Sequence, residues 1–167
     1  MTAVENHFIK NLLETKDRNV FVMMPYQTEK YYDEIELAIR QTLPLHGLIS
    51  RLAKDSAIFD DLWLNLTGYM DNCSIGIAIF EQIDTRSYNP NVSFEVGYML
   101  GQSKPCLLLK EKRLPRLPTD LCGRLYGEFD VMDIKLSVSS AVSAWLQGKG
   151  RPLLLVFFNL CNYCAII

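Results

Sequence analysis

The chain has 167 residues, of which 49% are hydrophobic and 22% charged, with a formal net charge of −2. That is enough chain for one domain with a buried core, and the near-neutral balance gives no electrostatic reason to expect a nucleic-acid partner. The five cysteines (Cys73, Cys106, Cys122, Cys161 and Cys164) are odd in number, and three lie scattered in apolar segments. This suits buried thiols in a reducing compartment better than a disulfide framework. Cys161 and Cys164 form a CxxC without a second Cys or His pair, so no metal site is expected. The two histidines, His7 and His46, have no candidate partner nearby in sequence, which disfavours Ser-His-Asp and Cys-His mechanisms. No signal-peptide pattern opens the chain, and a cytoplasmic protein is expected.

In chain order, residues 3–15 read as an amphipathic helix with Val4, Phe8, Leu12 and Leu13 on one side. Residues 18–24 carry the first strand, apolar throughout from Val20 to Met24 as a central parallel strand should be. Pro25-Tyr26-Gln27-Thr28 is the loop at its carboxyl end. A helix over 29–43 buries Tyr32, Ile35, Ile39 and Leu43, and Gly47 closes it through the left-handed conformation. Residues 48–52 form a weak second strand near the sheet edge. A helix over 58–73 presents Ile58, Leu62, Leu66, Tyr69 and Met70. The run Ile75–Phe80 is a fully buried strand. Asn89 is a helix N-cap with Pro90 at the first helical position, and Val92, Val96, Met99 and Leu100 form the buried stripe of that helix. Residues 106–109 give a fourth strand, 114–121 a loop and helical turn, 126–131 a fifth strand, and 137–146 a closing helix. Strands alternating with helices predict a parallel five-stranded sheet with helices on both faces.

One domain is expected over residues 1–150. Residues 152–167 carry no charge and break sharply in composition from what precedes them. A bilayer-spanning helix needs about 20 apolar residues, and Asn159 and Asn162 interrupt this stretch, so a membrane partner is not expected. An extra buried segment, a marginal membrane tail and an aberrant reading-frame end stay open as readings of 151–167.

Open parallel sheets bind ligands beyond the carboxyl ends of their strands, where the strand order reverses. The first strand delivers Met24, Pro25 and Tyr26 there, the second Arg51 and Asp55, and the third Glu81 and Asp84. The following helix brings Asn89, Asn91 and Glu95, with free N–H groups at Asn91-Val92 suited to phosphate or ribose oxygens. Glu95 lies at the edge of the apolar stripe, a setting that raises a carboxyl pKa or presents the group to a ligand. There is no GxGxxG and no Walker A sequence, so Rossmann hydride chemistry and P-loop hydrolysis are disfavoured.

Phe21-Val22-Met23-Met24-Pro25, the helix with Tyr32 and Ile35, Arg51 with Asp55, and above all Asn89-Pro90-Asn91-Val92-Ser93-Phe94-Glu95-Val96-Gly97-Tyr98 resemble the nucleoside 2-deoxyribosyltransferase-like and TIR-like nucleotide-binding domains. The resemblance covers residues 18 to 131. It implies a flavodoxin-like sheet, a nucleoside, nucleotide or NAD as ligand, no cofactor, and a helix-borne glutamate acting at an N-glycosidic bond, here Glu95. Where the family carries an Asp after the third strand, this chain has Glu81, one methylene longer. An anion beside the anomeric carbon stabilises, or traps, the oxocarbenium-like state of glycosidic cleavage. In that scheme Asn91 orients Glu95 or the ribose, Glu81 holds ribose or base, Tyr26 covers the ring and Arg51 meets a phosphate. The alternative is a non-catalytic nucleotide sensor or scaffold. Phe94, Gly97, Tyr98 and Gly101, on the opposite side of the helix, are read either as packing within the fold or as a contact in a homo-oligomer.

Overall fold

The computed structural model describes residues 3–26, 29–59, 61–82, 89–121 and 123–148. Expectations that rest on the side chain of Val4, on Gln27, Thr28, Asp84, residues 85–88, Cys122 and the 151–167 segment with Cys161 and Cys164 lie outside the described residues.

Two apolar runs set the centre of the sheet. Asn19–Met23 forms β1, buried at every position, and Ile75–Phe80 forms β3, buried from Gly76 onward. Ile49–Arg51 (β2), Cys106–Glu111 (β4) and Tyr126–Phe129 (β5) complete a five-stranded sheet in the order β2-β1-β3-β4-β5. Every pairing is parallel. Period-two alternation sends Val20, Val22, Ile77, Ile79, Leu107 and Leu109 to one face, where helices α2 (Lys30–Thr42) and α5 (Ile134–Leu146) cover them. Phe21, Met23, Ala78, Phe80 and Leu108 face the other way, under α1 (Ala3–Glu14), α3 (Leu62–Asp71) and α4 (Pro90–Gly101). A strand buried on both faces has to be apolar at consecutive positions, which is why β1 and β3 read as unbroken runs.

Local signals end the helices where expected. Asn89 caps α4, its Oδ1 accepting the Asn91 N–H at 3.0 Å, with Pro90 at the first helical position. Gly47 takes φ 71° after a 3-10 turn over Leu43–His46, and its N–H returns to the carbonyls of Leu43 and Pro44. Between β4 and β5 no α-helix forms. Leu114, Leu117 and Leu121 close the second core face from an extended segment with a single 3-10 turn at Thr119–Leu121.

Two expectations are corrected. The third helix begins at Leu62 rather than Ile58, because Asp61 caps it by accepting the Leu64 N–H at 2.8 Å. Asn65 then takes the inward position, accepting from the N–H of Ile58 at 2.6 Å, while Leu62 stands 73% exposed. On the first helix Leu12 is buried, but Leu13 is 56% exposed. The outer side of α4 divides. Phe94 and Tyr98 pack within the fold against Trp63, with ring centroids 5.3 and 5.6 Å away, whereas Gly97 and Gly101 face open space. No helix among the described residues is long and apolar enough to cross a membrane.

Two glycines test this packing with opposite signs. A Cβ on Gly76 would sit 2.5 Å from Met23 Cε and 3.0 Å from Cys106 Sγ, with Met99 Cε at 3.4 Å. Gly76→Ala is therefore expected to cost about 1–3 kcal/mol through overpacking. Gly97→Ala meets nothing within 4 Å and should gain about 0.5–1 kcal/mol from helix propensity alone. Urea midpoints at unchanged m-value give both numbers. A Gly76→Ala protein as stable as the parent would refute the close packing of β3 on Met23.

Candidate functional site

The chain leaves β1 through α2 toward β2, and leaves β3 through α4 toward β4, so the two crossings lie on opposite faces of the sheet. The carboxyl ends of these adjacent strands are thus left uncovered between the starts of α2 and α4, the usual place for a ligand in such a sheet.

Glu95 comes from the second turn of α4, half-buried at the edge of the stripe made by Val92, Val96 and Met99. Among the described residues it makes no hydrogen bond or ion pair. Burial alone pushes its carboxyl up from an ordinary 4.5 to about 7, because a partly desolvated carboxylate with nothing to stabilise its charge holds its proton longer. Tyr26 stands close to it. Burial raises the Tyr26 phenol above its ordinary value, the Ala53 N–H that it accepts at 3.0 Å works the other way, and the nearby charge of Glu95 raises it further. The Tyr26 ring is half exposed, with the Lys54 ammonium 5.9 Å from its centroid.

Glu81 occupies the first position beyond β3 and is buried. Tyr32, reaching from α2, donates its hydroxyl to Glu81 Oε1 at 2.6 Å. Burial and this bond both raise the Tyr32 pKa. The sequence pattern marks Tyr32 only as a core residue, although the hydroxyl of a buried tyrosine needs a partner and so points to a polar group opposite. Two further polar atoms escape the sequence reading. Glu29 Oε2, at the N-cap of α2, and Ser93 Oγ, in the first turn of α4, are buried without a hydrogen-bond partner. Such atoms are uncommon and mark places that a polar ligand can satisfy.

The other expected residues divide. Met24 and Pro25 are buried and form the floor at the end of β1. Asn89 spends its side-chain oxygen on the cap, and the Asn91 N–H is the group it takes. Asn91 itself is exposed and makes no bond to Glu95. Arg51 and Asp55 are not brought to this cleft as a pair. The Arg51 side chain runs back toward the amino end of β1, donating to Asn19 Oδ1 at 3.0 Å, Asn11 Oδ1 at 2.5 Å and Thr15 Oγ1 at 2.9 Å. Its register opposite Phe21 sends it to the α1 side of the sheet, and burial lowers its pKa from the ordinary value. Asp55 instead accepts from Arg40 and from the Leu52 N–H, closing the turn after β2. A cavity of about 520 Å³ opens beside β2, lined by residues that include Arg18, Arg40, Arg51 and Asp55 but not Glu95.

No family model matches the chain, and no curated protein matches its sequence. Among solved structures it is similar to the 2-deoxyribosyltransferase of the psychrotolerant bacterium Bacillus psychrosaccharolyticus. The TM-score is 0.52 at 16% identity, over 70% of this chain and 90% of that one. A 2-desoxiribosyltransferase from Leishmania mexicana gives a TM-score of 0.46 at 13% identity. That match takes in 56% of this chain and 64% of that one, and it is too loose to weigh on the fold. The likeness to the Bacillus enzyme is one of architecture: an α/β, flavodoxin-like parallel sheet of five strands with helices on both faces, a nucleoside deoxyribosyltransferase-like fold.

Proposed function

We propose that this domain binds a nucleoside or nucleotide in the cleft between β1 and β3 and cleaves or transfers at its N-glycosidic bond, with Glu95 as the reacting carboxylate. The observation that carries the reading is Glu95 itself: a half-buried carboxyl group with no partner among the described residues, its pKa pushed up to about 7 by burial alone, at the mouth of the sheet. The fold shared with a 2-deoxyribosyltransferase supports the same chemistry.

In this mechanism an ionised Glu95 oxygen approaches C1′ as the N-glycosidic bond lengthens. The bonding pair leaves with the base, and the carboxylate either bonds to C1′ or stabilises the positive charge there. Water or a second base then bonds to C1′. Where Glu95 has bonded there, that C1′–O bond breaks with its electron pair returning to the carboxylate, and the proton lost by the incoming nucleophile balances the one taken up by the departed base. Desolvation makes the anion costly in the free protein and so more responsive to the developing positive charge. Tyr26 lies beside Glu95, suited to cover the sugar or base. Glu81, steadied by Tyr32, offers acceptor oxygens to hydroxyl or amino groups of the ligand. NAD has the same kind of bond between ribose and nicotinamide, so it belongs in the substrate panel.

Base release from a panel of nucleosides, nucleotides and NAD, followed by chromatography, tests the reading. Glu95→Gln should lower turnover by orders of magnitude and leave substrate binding nearly unchanged, because the amide cannot supply the anion. The rate for the parent protein should rise with pH through about 7 as Glu95 ionises. Equal release by both proteins removes Glu95 from the chemistry. Binding with no release from any substrate makes the domain a sensor.

The same carboxyl leaves a mark on stability. The folded protein retains a proton on Glu95 at pH values where the unfolded chain has lost it. Stability is therefore highest below 4.5 in respect of this group, and falls as pH rises toward and through 7. By linkage the loss is on the order of 3 kcal/mol. Glu95→Gln should match the parent near pH 5 and exceed it near pH 8 in urea unfolding. A difference between the two proteins that stays constant across this range would show that Glu95 is solvated or paired.

A further inference from the structure

The cavity beside β2 has a chemistry of its own. A guanidinium carries five N–H donors. In Arg51 the Nε donor goes to Asn19, and Nη2 donates to Asn11 and Thr15. Neither donor on Nη1 has a partner among the described residues. The side chain is nevertheless buried, at 6% exposure, and lines the cavity. All three of its acceptors are neutral, and no carboxylate lies within ion-pair distance of it among the described residues. A buried cation held only by neutral dipoles is costly unless an anion completes it.

The surroundings favour such an anion. Arg18 lines the same cavity, exposed and without an ion pair among the described residues. Arg40 forms another wall but is already matched by Glu36 and Asp55. Asp55 is the acid in the lining, and both its oxygens are engaged, one by Arg40 and one by the Leu52 N–H. Among the described residues β2 is an edge strand paired only with β1, and an edge presents free main-chain N–H groups on its open side. Phe8, whose ring lies 5.5 Å from the Arg51 guanidinium carbon, and Leu48 supply apolar wall. A volume of about 520 Å³ suits a small metabolite rather than a bare ion.

We propose that this cavity is a second binding site, separate from the Glu95 cleft, for a small phosphorylated molecule whose phosphoryl oxygens meet Arg51 Nη1 and Arg18 and whose apolar part lies against Phe8 and Leu48. Guanidinium donors match phosphoryl oxygens in geometry as well as charge.

Calorimetric titration at fixed ionic strength with inorganic phosphate, phenyl phosphate and the uncharged control phenol tests the site. Phenyl phosphate should bind more tightly than inorganic phosphate, and phenol should not bind measurably. Arg51→Lys keeps a charge but loses the Nη1 donors and should weaken phenyl phosphate about tenfold or more. Arg18→Glu reverses an exposed charge that supports no described hydrogen bond, so it decides the matter even if Arg51→Lys fails to fold. It should abolish binding. No binding of phenyl phosphate up to about 10 mM, affinity unchanged in Arg18→Glu, or displacement of phenyl phosphate by an uncharged nucleoside would each overturn the proposal. The last result would put the anion in the Glu95 cleft instead.

Discussion

The handedness of the strand crossovers organises this molecule. Parallel strands can be joined only by a connection that passes over a face of the sheet, and a twisted strand followed by a right-handed helix packs back one way round. From β1 the chain turns toward β2, and from β3 toward β4, so the same handedness puts α2 and α4 on opposite faces. Neither helix can cover the gap between the ends of β1 and β3. Both strands must be apolar on both faces to sit in the middle of the sheet, yet each must turn polar where it emerges into that gap. The sequence does so within a residue or two, at Tyr26 after Met24-Pro25 and at Glu81 after Phe80.

Two glutamates reach this gap and are treated differently. Glu81 is more deeply buried, and the Tyr32 hydroxyl at 2.6 Å fixes its orientation. Glu95 is less buried and has no such donor. At Glu95 nothing offsets burial, and the carboxyl is pushed up to about 7. A donor placed against Glu95 would stabilise its charge and with it the domain at neutral pH.

Much of this was legible in the sequence, for identifiable reasons. β1 and β3 declare themselves because burial on both faces demands continuous apolar residues. The start of α4 declares itself because Asn89-Pro90 combines a side-chain acceptor with a ring that suits the first turn. Glu95 follows from α4 by helical spacing alone. Arg51 does not. In a three-residue strand the face a side chain takes depends on register with its neighbour, and a shift of one residue reverses it. Pairing of Arg51 with Phe21 sends the guanidinium to the α1 side, and it becomes a tie between α1 and the sheet rather than a guest of the cleft. Asp55 follows the same logic, since its partner Arg40 comes from α2 and not from β2. The late start of α3 was hidden because Leu62 and Leu66 fit an apolar stripe. The Asp61 cap and the inward Asn65 outrank that stripe, and Asn65 gains two loop N–H groups and the Ala53 carbonyl in return.

The amino end of the sheet shows what the fold requires of Arg51 apart from any ligand. Asn19 opens β1 fully buried, donating to the carbonyls of Leu12 and Asn72 at 2.8 and 2.9 Å while its Oδ1 accepts from Thr15 and Arg51. That single amide therefore joins α1, β1, β2 and the end of α3. Every acceptor in this network is neutral, so it fixes the guanidinium in place without neutralising it. The rigidity matters for recognition, because a cation held by three bonds loses little freedom when an anion arrives. An arginine that was only structural could have been matched with a carboxylate at Asn11 or Asn19. The amides found there hold the geometry and leave the guanidinium without a direct carboxylate partner among the described residues, with Asp55 acting on it only from a distance.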